Sequence, residues 1–249
     1  MALLEVRDLE IHFGGIKALA GVSLSVSEGE TLAIIGPNGS GKTSLFNCIS
    51  GIYHPHAGAI VFRGESLLGL TPDRVANRGI ARTFQNLRLF QNMSVLDNLL
   101  VGRHRHFRKN FIVALLRLRG EEINHRRRVE EILELLNLEP YRKNRLADCP
   151  FGVQKRVELG RALAADPSLL LLDEPVSGLT VEEKEEFSYW IHEIRGRLSV
   201  TILLVEHDLR VASRLADQLV ALDHGVKIAG GTPREVQSHP DVIRAYLGG

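Results

Sequence analysis

Residues Gly36-Pro37-Asn38-Gly39-Ser40-Gly41-Lys42-Thr43-Ser44 follow directly on the apolar stretch Thr31–Ile35, and no other part of the chain restricts its fold as much. A buried strand ending at Gly36 and a helix starting near Gly41 leave a loop whose backbone N–H groups can converge on an anion. The helix adds its positive N-terminal end at the same place. In this pattern Lys42 supplies a mobile charge for the β- and γ-phosphates, and the Thr43 hydroxyl can ligate Mg²⁺. Strand, phosphate loop and helix in that order imply a nucleoside triphosphate.

A second anchor is Leu169-Leu170-Leu171-Leu172-Asp173-Glu174. An apolar strand ending in two carboxylates is how a parallel sheet brings a magnesium-binding acid beside a phosphate loop. Asp173 is expected to hold Mg²⁺ through a water, and Glu174 to face an attacking water as general base or orienting group.

Strands and helices alternate along the rest of the chain. Residues 3–12 and 22–26 read as short antiparallel strands of an outer β layer, and 59–62 as a further strand. Residues 80–84, 169–172, 200–205 and 219–222 read as buried strands of a parallel sheet with helices on its faces. Between about residues 86 and 165 strands vanish. There Val129, Ile132, Leu133 and Leu136 recur at i, i+3, i+4 and i+7, the mark of an amphipathic helix. A second helix is predicted over 152–165, stopped by Asp166-Pro167. The expected fold class is therefore α/β: a mostly parallel phosphate-loop core at 1–85 and 166–249, an antiparallel β layer, and a helical subdomain inserted at 86–165.

At 249 residues with a formal net charge of +1, the chain can bury one large core and has no global affinity for polyanions. Cys48 and Cys149 are its two cysteines, which suggests a reducing compartment rather than a disulfide framework. The start, Met-Ala-Leu-Leu-Glu-Val-Arg-Asp, does not read as a secretory signal. No apolar run approaches the roughly 18–20 residues of a membrane span.

Two further segments complete a set: Arg82-Thr83-Phe84-Gln85 before the helical block and Val205-Glu206-His207-Asp208 after the following strand. With the phosphate loop and the Asp173-Glu174 strand they resemble the ATP-binding cassette ATPases, in the family's order and spacing and over essentially the whole chain. The resemblance implies ATP as the nucleotide and two such domains enclosing two ATP molecules head to tail. Carried over by position, Gln85 senses Mg²⁺ and the attacking water and links to the helical subdomain. His207 contacts the γ-phosphate, and Phe13 stacks on adenine. The implied catalytic set is Lys42, Gln85, Glu174 and His207, and the implied metal set Thr43, Gln85 and Asp173.

The family's signature, Leu-Ser-Gly-Gly-Gln, aligns with Cys149-Pro150-Phe151-Gly152-Val153. Gly152 remains as a nucleotide-facing residue, but Pro150 replaces the serine that offers its hydroxyl to the partner's γ-phosphate. Proline suits a first helical position, so the helix end can still face an anion. Thr180, in Ser177-Gly178-Leu179-Thr180, stands where the family usually has aspartate. Both departures favour pairing with a different ATPase over a fully competent homodimer.

A narrower resemblance rests on residues 13–19, 82–90, 93–95 and 98–104, and on the tail Val242-Ile243-Arg244-Ala245-Tyr246-Leu247-Gly248. These look like the ATPase subunits of branched-chain amino acid importers, a group related to carriers of urea or short amides. The partners implied are integral-membrane permease subunits, a second ATPase subunit and, indirectly, an extracytoplasmic substrate-binding protein. The implied location is the cytoplasmic face of the plasma membrane. A low-turnover regulatory module and a non-transport cassette protein are the competing readings.

The basic run Arg103-His104-Arg105-His106-Phe107-Arg108-Lys109, with Arg126-Arg127-Arg128 later, reads as a solvated helical face near Glu121, Glu122, Glu130 and Glu131, or as a contact with lipid headgroups. Without interleaved aromatic residues for base stacking, no nucleic-acid partner is expected. Residues 111–118 read as a core helix or as an amphipathic segment near the permease.

Overall fold

The computed structural model describes residues 2–85, 88–104 and 111–247, with the side chains of 111–122 and 247 excepted. From the N-terminus, β1 (Ala2–Phe13) and β2 (Ile16–Ser27) form an antiparallel hairpin across Gly14-Gly15. β3 (Thr31–Ile35) leads through residues 36–41 into α1 (Lys42–Ile49). β4 (Ala57–Phe62), β5 (Glu65–Ser66), α2 (Pro72–Asn77) and β6 (Ile80–Arg82) follow. Then come α3 (Val95–Gly102), α4 (Phe111–Leu135) and α5 (Phe151–Leu163) before β7 (Leu169–Asp173) and α6 (Val181–Leu198). The chain continues through β8 (Thr201–Val205), α7 (Leu209–Leu215), β9 (Gln218–Asp223), β10 (Val226–Gly231), α8 (Pro233–Gln237) and α9 (Pro240–Leu247).

Two sheets result. One is antiparallel in the order β2-β1-β4-β5; the other runs β10-β9-β3-β8-β7-β6, parallel except for β10 at its edge. The parallel strands read as unbroken apolar runs because both of their faces are covered. Alternation divides each run between two cores. Ala33, Ile35, Leu170, Leu172, Ile202 and Leu204 belong to the core that also takes Val129, Ile132, Leu133 and Leu136 of the helical stretch. Leu32, Ile34, Leu169, Leu171, Leu203 and Val205 belong to the core shared with α1 and the antiparallel sheet. The two cores meet across the parallel sheet, so its strand ends are anchored from both sides.

The structure departs from the expected elements in four places. β1 and β2 are twelve residues each, longer than 3–12 and 22–26, because the hairpin pairs to its turn at Phe13 and Ile16. β6 stops at Arg82 and not at residue 84: the Phe84 N–H is taken by the Glu158 carboxylate at 3.2 Å instead of a neighbouring strand. β10 was hidden by its small residues, although Asp223-His224-Gly225 is a legible turn into it. Pro150 lies at the N-cap of α5, one residue before the first helical position expected of it. It brings no side-chain oxygen to cap the helix.

The basic run is also reassigned where it is described. Arg103 is buried rather than solvated: Nη1 donates to the Ala164 carbonyl at 2.9 Å and pairs with Asp166, and His125 lies against the guanidinium. Arg128 bridges Asp166 and Glu131, both at 2.9 Å. Residues 105–109 lie outside the described residues, as do the side chains of 111–118. No helix among the described residues is long and apolar enough to cross a membrane.

Candidate nucleotide site at the carboxyl ends of the parallel strands

The phosphate loop depends on two glycines whose backbone no other residue adopts easily. Gly36 leaves β3 at φ 151°, and a Cβ there would strike the Leu222 carbonyl and the Ser40 hydroxyl. Gly41, the N-cap of α1, has φ 104°, and a Cβ would strike the Ala18 carbonyl and the Leu19 side chain. Pro37, Asn38, Gly39 and Ser40 span the gap between them and border a cavity of about 630 Å³ facing α9 and the β9–β10 turn. Lys42 is folded onto the loop, its Nζ donating to the carbonyls of Gly36 at 2.7 Å and Pro37 at 2.8 Å. Burial lowers the Lys42 pKa, while Glu174, Asp173 and Glu206 pull it back up. Thr43 is exposed at the start of α1 and Ser44 half-buried beside it.

β7 and β8 bring the remaining groups to the same edge. Asp173 ends β7, and Glu174 follows in the left-handed region at φ 46°, with its N–H held by the Val205 carbonyl at 3.0 Å. A glutamate in that conformation is strained and persists because its neighbours hold it there. Two candidate side chains converge on its carboxylate. Gln85 Nε2 donates to Glu174 Oε2 at 3.0 Å, and His207 Nδ1 lies 3.8 Å from the same oxygen. His207 is placed by Asp208, which N-caps α7 by accepting from the N–H groups of Arg210 at 2.9 Å and Val211 at 3.3 Å. Glu206, just before His207, is fully buried; the backbone N–H groups of Val176 and His207 act on its carboxylate and favour its charge, although neither oxygen has a partner at full hydrogen-bond geometry. Burial first, then the carboxylates of Glu174 and Asp208, push its pKa up to about 7.

Four residues singled out in the sequence sit apart from this cluster. Phe13 lies at the tip of the β1–β2 hairpin, 46% exposed and edge-on to Tyr53 with ring centroids 5.2 Å apart. Gly152 and Pro150 line a separate cavity of about 180 Å³ with Arg156, Glu183 and Trp190. A Cβ on Gly152 would strike the Glu183 carboxylate. Thr180, which replaces the usual aspartate, N-caps α6 in a reciprocal capping box with Glu183. Threonine is a competent N-cap, so the local geometry needs no aspartate.

Mg²⁺ can be tested against the donor set. Thr43 offers a hydroxyl and Asp173 a carboxylate, and Gln85, donating through Nε2, keeps Oε1 as an acceptor. All are oxygens suited to a hard cation. Among the described residues no group of three or more His, Cys, Asp or Glu side chains could hold an ion by itself. That fits an ion carried largely by phosphate and water.

Sequence reasoning gave no role to Arg82, although it opens the segment ending at Gln85, or to Glu158. Arg82 Nη2 pairs with Asp173 Oδ2 at 2.7 Å, and Glu158 of α5 holds the strand exit that leads to Gln85. Residue type alone does not mark the pairing of either one; a buried arginine and a buried glutamate become visible only when the strands are placed beside their neighbours.

Comparison with known proteins agrees with this geometry. Residues 19–177 match the family described as ABC transporter, and residues 226–249 match the family described as branched-chain amino acid ATP-binding cassette transporter. The chain is 39% identical over 249 residues to the high-affinity branched-chain amino acid transport ATP-binding protein BraF of Pseudomonas aeruginosa, covering 99% of this chain and 98% of that one. Among solved structures, the ADP conformation of an ATP-binding cassette of an ABC transporter superposes with a TM-score of 0.88 at 31% identity, covering 100% of both chains. A dimeric post-hydrolysis state of another cassette, bound to ADP and Pi, superposes at 0.77 with 26% identity over 93% of this chain and 99% of that one.

Proposed function

Since the chain belongs to the ATP-binding cassette transporter family, we propose that it is the ATP-hydrolysing subunit of an importer for branched-chain or related amino acids. The observation that carries the catalytic reading is the convergence of Gln85 and His207 on Glu174, beside the phosphate loop's lysine. The cargo reading rests on the full-length likeness to BraF and on the matching C-terminal segment.

ATP binds with its phosphates on the N–H groups of the 36–44 loop and on Lys42, and its adenine against Phe13. Mg²⁺, when bound at Thr43, Gln85 and Asp173, supplies charge neutralisation at the phosphates. Glu174 accepts a proton from the attacking water or orients it. Gln85 and His207 hold the Glu174 carboxylate and the γ-phosphate in register, an electrostatic preorganisation rather than covalent chemistry. In this reading residues 86–165 form a helical subdomain on a core of 1–85 and 166–249, and Gln85 is the joint between them. Gly152 and the α5 N-terminus face the nucleotide of a second ATPase subunit. The assembly sits on permease subunits at the cytoplasmic membrane face and is fed by an extracytoplasmic binding protein.

Gentle affinity purification from detergent-solubilised native membranes tests this. Recovery with permease subunits and a second ATPase is expected, followed by uptake of labelled leucine, isoleucine or valine in preference to urea or short amides. Recovery only from the soluble fraction removes the transport reading. A second reading, a module that holds ATP with little turnover, draws on Pro150, which has no hydroxyl to offer. Phosphate release by the assembled complex separates the two.

A further inference from the structure

Arg82 makes more ordered contacts than any role in closing a sheet requires. Its side chain is 8% exposed and that of Asp173 6%. Nη2 donates to Asp173 Oδ2 at 2.7 Å; Nη1 donates to Asn47 Oδ1 at 2.8 Å and to Ser50 Oγ at 3.1 Å. The guanidinium carbon lies 5.5 Å from the Phe46 ring centroid and 5.1 Å from that of Phe84. A planar group packed against two rings and bonded at both terminal nitrogens is held in a narrow range of orientations.

Its partners are the elements that carry the metal-facing groups. Asn47 lies four residues after Thr43 on α1, and residues so spaced share one helix face. The surface that offers the Thr43 hydroxyl is thus the one to which Arg82 is tied. Asp173 is held twice from the same segment: its N–H by the Thr83 hydroxyl at 3.3 Å, and its Oδ2 by Arg82. Gln85 follows three residues after Arg82. One side chain therefore joins the helix of Thr43, the strand of Asp173 and the segment of Gln85. The Arg82 bond on Oδ2 fixes the plane of the Asp173 carboxylate and so sets where Oδ1 can meet a metal-bound water.

We propose that Arg82 is a positioning residue for the metal site. It sets the spacing between α1 and β7 and fixes the orientation of the Asp173 carboxylate. It touches neither nucleotide nor water and acts through Asp173 and Asn47. The inference rests on the reading of Thr43, Gln85 and Asp173 as the metal-facing set.

The test is Mn²⁺ binding to the ATP-loaded protein, followed by electron paramagnetic resonance, in the wild type and in Arg82→Gln, Arg82→Lys and Asp173→Asn. ATP binding without metal and thermal unfolding are measured alongside. Arg82→Gln is expected to weaken Mn²⁺ about tenfold or more, as loss of a partner that orients a metal ligand typically does, with metal-free ATP affinity within about threefold. Arg82→Lys keeps a point charge but not the fork, and is expected to recover thermal stability more completely than Mn²⁺ affinity. Wild-type Mn²⁺ affinity in a folded Arg82→Gln protein, with Asp173→Asn impaired, overturns the proposal and leaves the metal site standing. Unchanged affinity in Asp173→Asn overturns the reading of the site itself. If Arg82→Gln does not fold, Asn47→Ala removes one anchor on α1 and leaves the ion pair intact. A fall of about threefold in Mn²⁺ affinity then supports the proposal, and no change overturns it.

Discussion

The side-chain amide of Gln85 donates to the Glu174 carboxylate at 3.0 Å, joining the segment that enters the helical stretch to the residue that follows β7. The bond spans 89 positions of sequence, so any movement of the helical residues that displaces Gln85 also changes the setting of Glu174. Under the proposed function, this relationship ties the state of the carboxylate proposed as catalytic to the arrangement of the helices.

Replacing Glu174 by Gln keeps a side chain of the same size that can still bond Gln85, but removes the basic carboxylate. Phosphate release is expected to fall at least about a hundredfold, in the range of lost general-base function, while ATP binding persists. ATP-dependent association, followed by size-exclusion chromatography, is expected to increase because the bound ATP is no longer consumed. Normal turnover in this variant would remove Glu174 from the chemistry.

Pro150 caps α5 without a side-chain acceptor. Pro150→Ser introduces a hydroxyl that can cap its own helix or bond the nucleotide of the proposed second ATPase subunit. A gain of one charge-assisted hydrogen bond is about 1.5–3 kcal/mol, read as roughly tenfold or more in turnover or in ATP-driven association. If both stay at the wild-type level, the missing serine does not limit this site.

Glu206 makes stability depend on pH. Its folded-state pKa, about 7, lies above the ordinary 4.5, so between those values the native state holds a proton that the unfolded chain has lost. Stability therefore falls as pH rises through this window, by up to about 3 kcal/mol once the group ionises in the fold. The N–H groups of Val176 and His207, the carboxylates of Glu174 and Asp208, Lys42 and the Tyr246 hydroxyl act on it or respond to it. Glu206→Gln is expected to match the wild type near pH 4.5 and to be the more stable protein at pH 8. Equal pH slopes in thermal unfolding would rule this out.

Arg103 ties the end of α3 to the turn after α5 through Ala164 and Asp166. Arg103→Ala leaves the Ala164 carbonyl and the Asp166 carboxylate short of a donor. A loss of about 2–3 kcal/mol in denaturant unfolding is expected, below the full cost of breaking a buried ion pair because Asp166 is partly exposed. A change under about 0.5 kcal/mol would return Arg103 to the solvated basic run.

Elements set by local pattern were legible beforehand. Thr31–Ile35 and the end of β7 at Asp173 follow from unbroken apolar runs, and the helical period of Val129, Ile132, Leu133 and Leu136 identifies residues that are all buried in one core. β10, the length of β2 and the N-cap role of Thr180 were not read, because small residues and turn chemistry carry them rather than hydrophobic period. The segments at Lys42, Gln85, Asp173-Glu174 and His207 could be assigned to one site from their residue types, order and spacing. The contacts through which they meet, Gln85 and His207 on one oxygen of Glu174, could not.

By itself the sequence determined which chemistry was available: a glycine-rich anion loop, a lysine, two adjacent carboxylates, and a glutamine and a histidine after strand-like runs. These are local properties, fixed by side-chain type and by the backbone freedom of a few glycines. Tertiary structure decided the pairings. Arg82 could have been one more surface cation, and Arg103 part of a basic stripe, until the parallel order β3-β8-β7-β6 and the packing of α3 against α5 put carboxylates beside them. The physical reason is burial. In the interior a charge is tolerated where hydrogen-bond partners or a counter-charge compensate it, and for Arg82 and Arg103 the counter-charge is near through contacts between residues 63 to 91 positions apart.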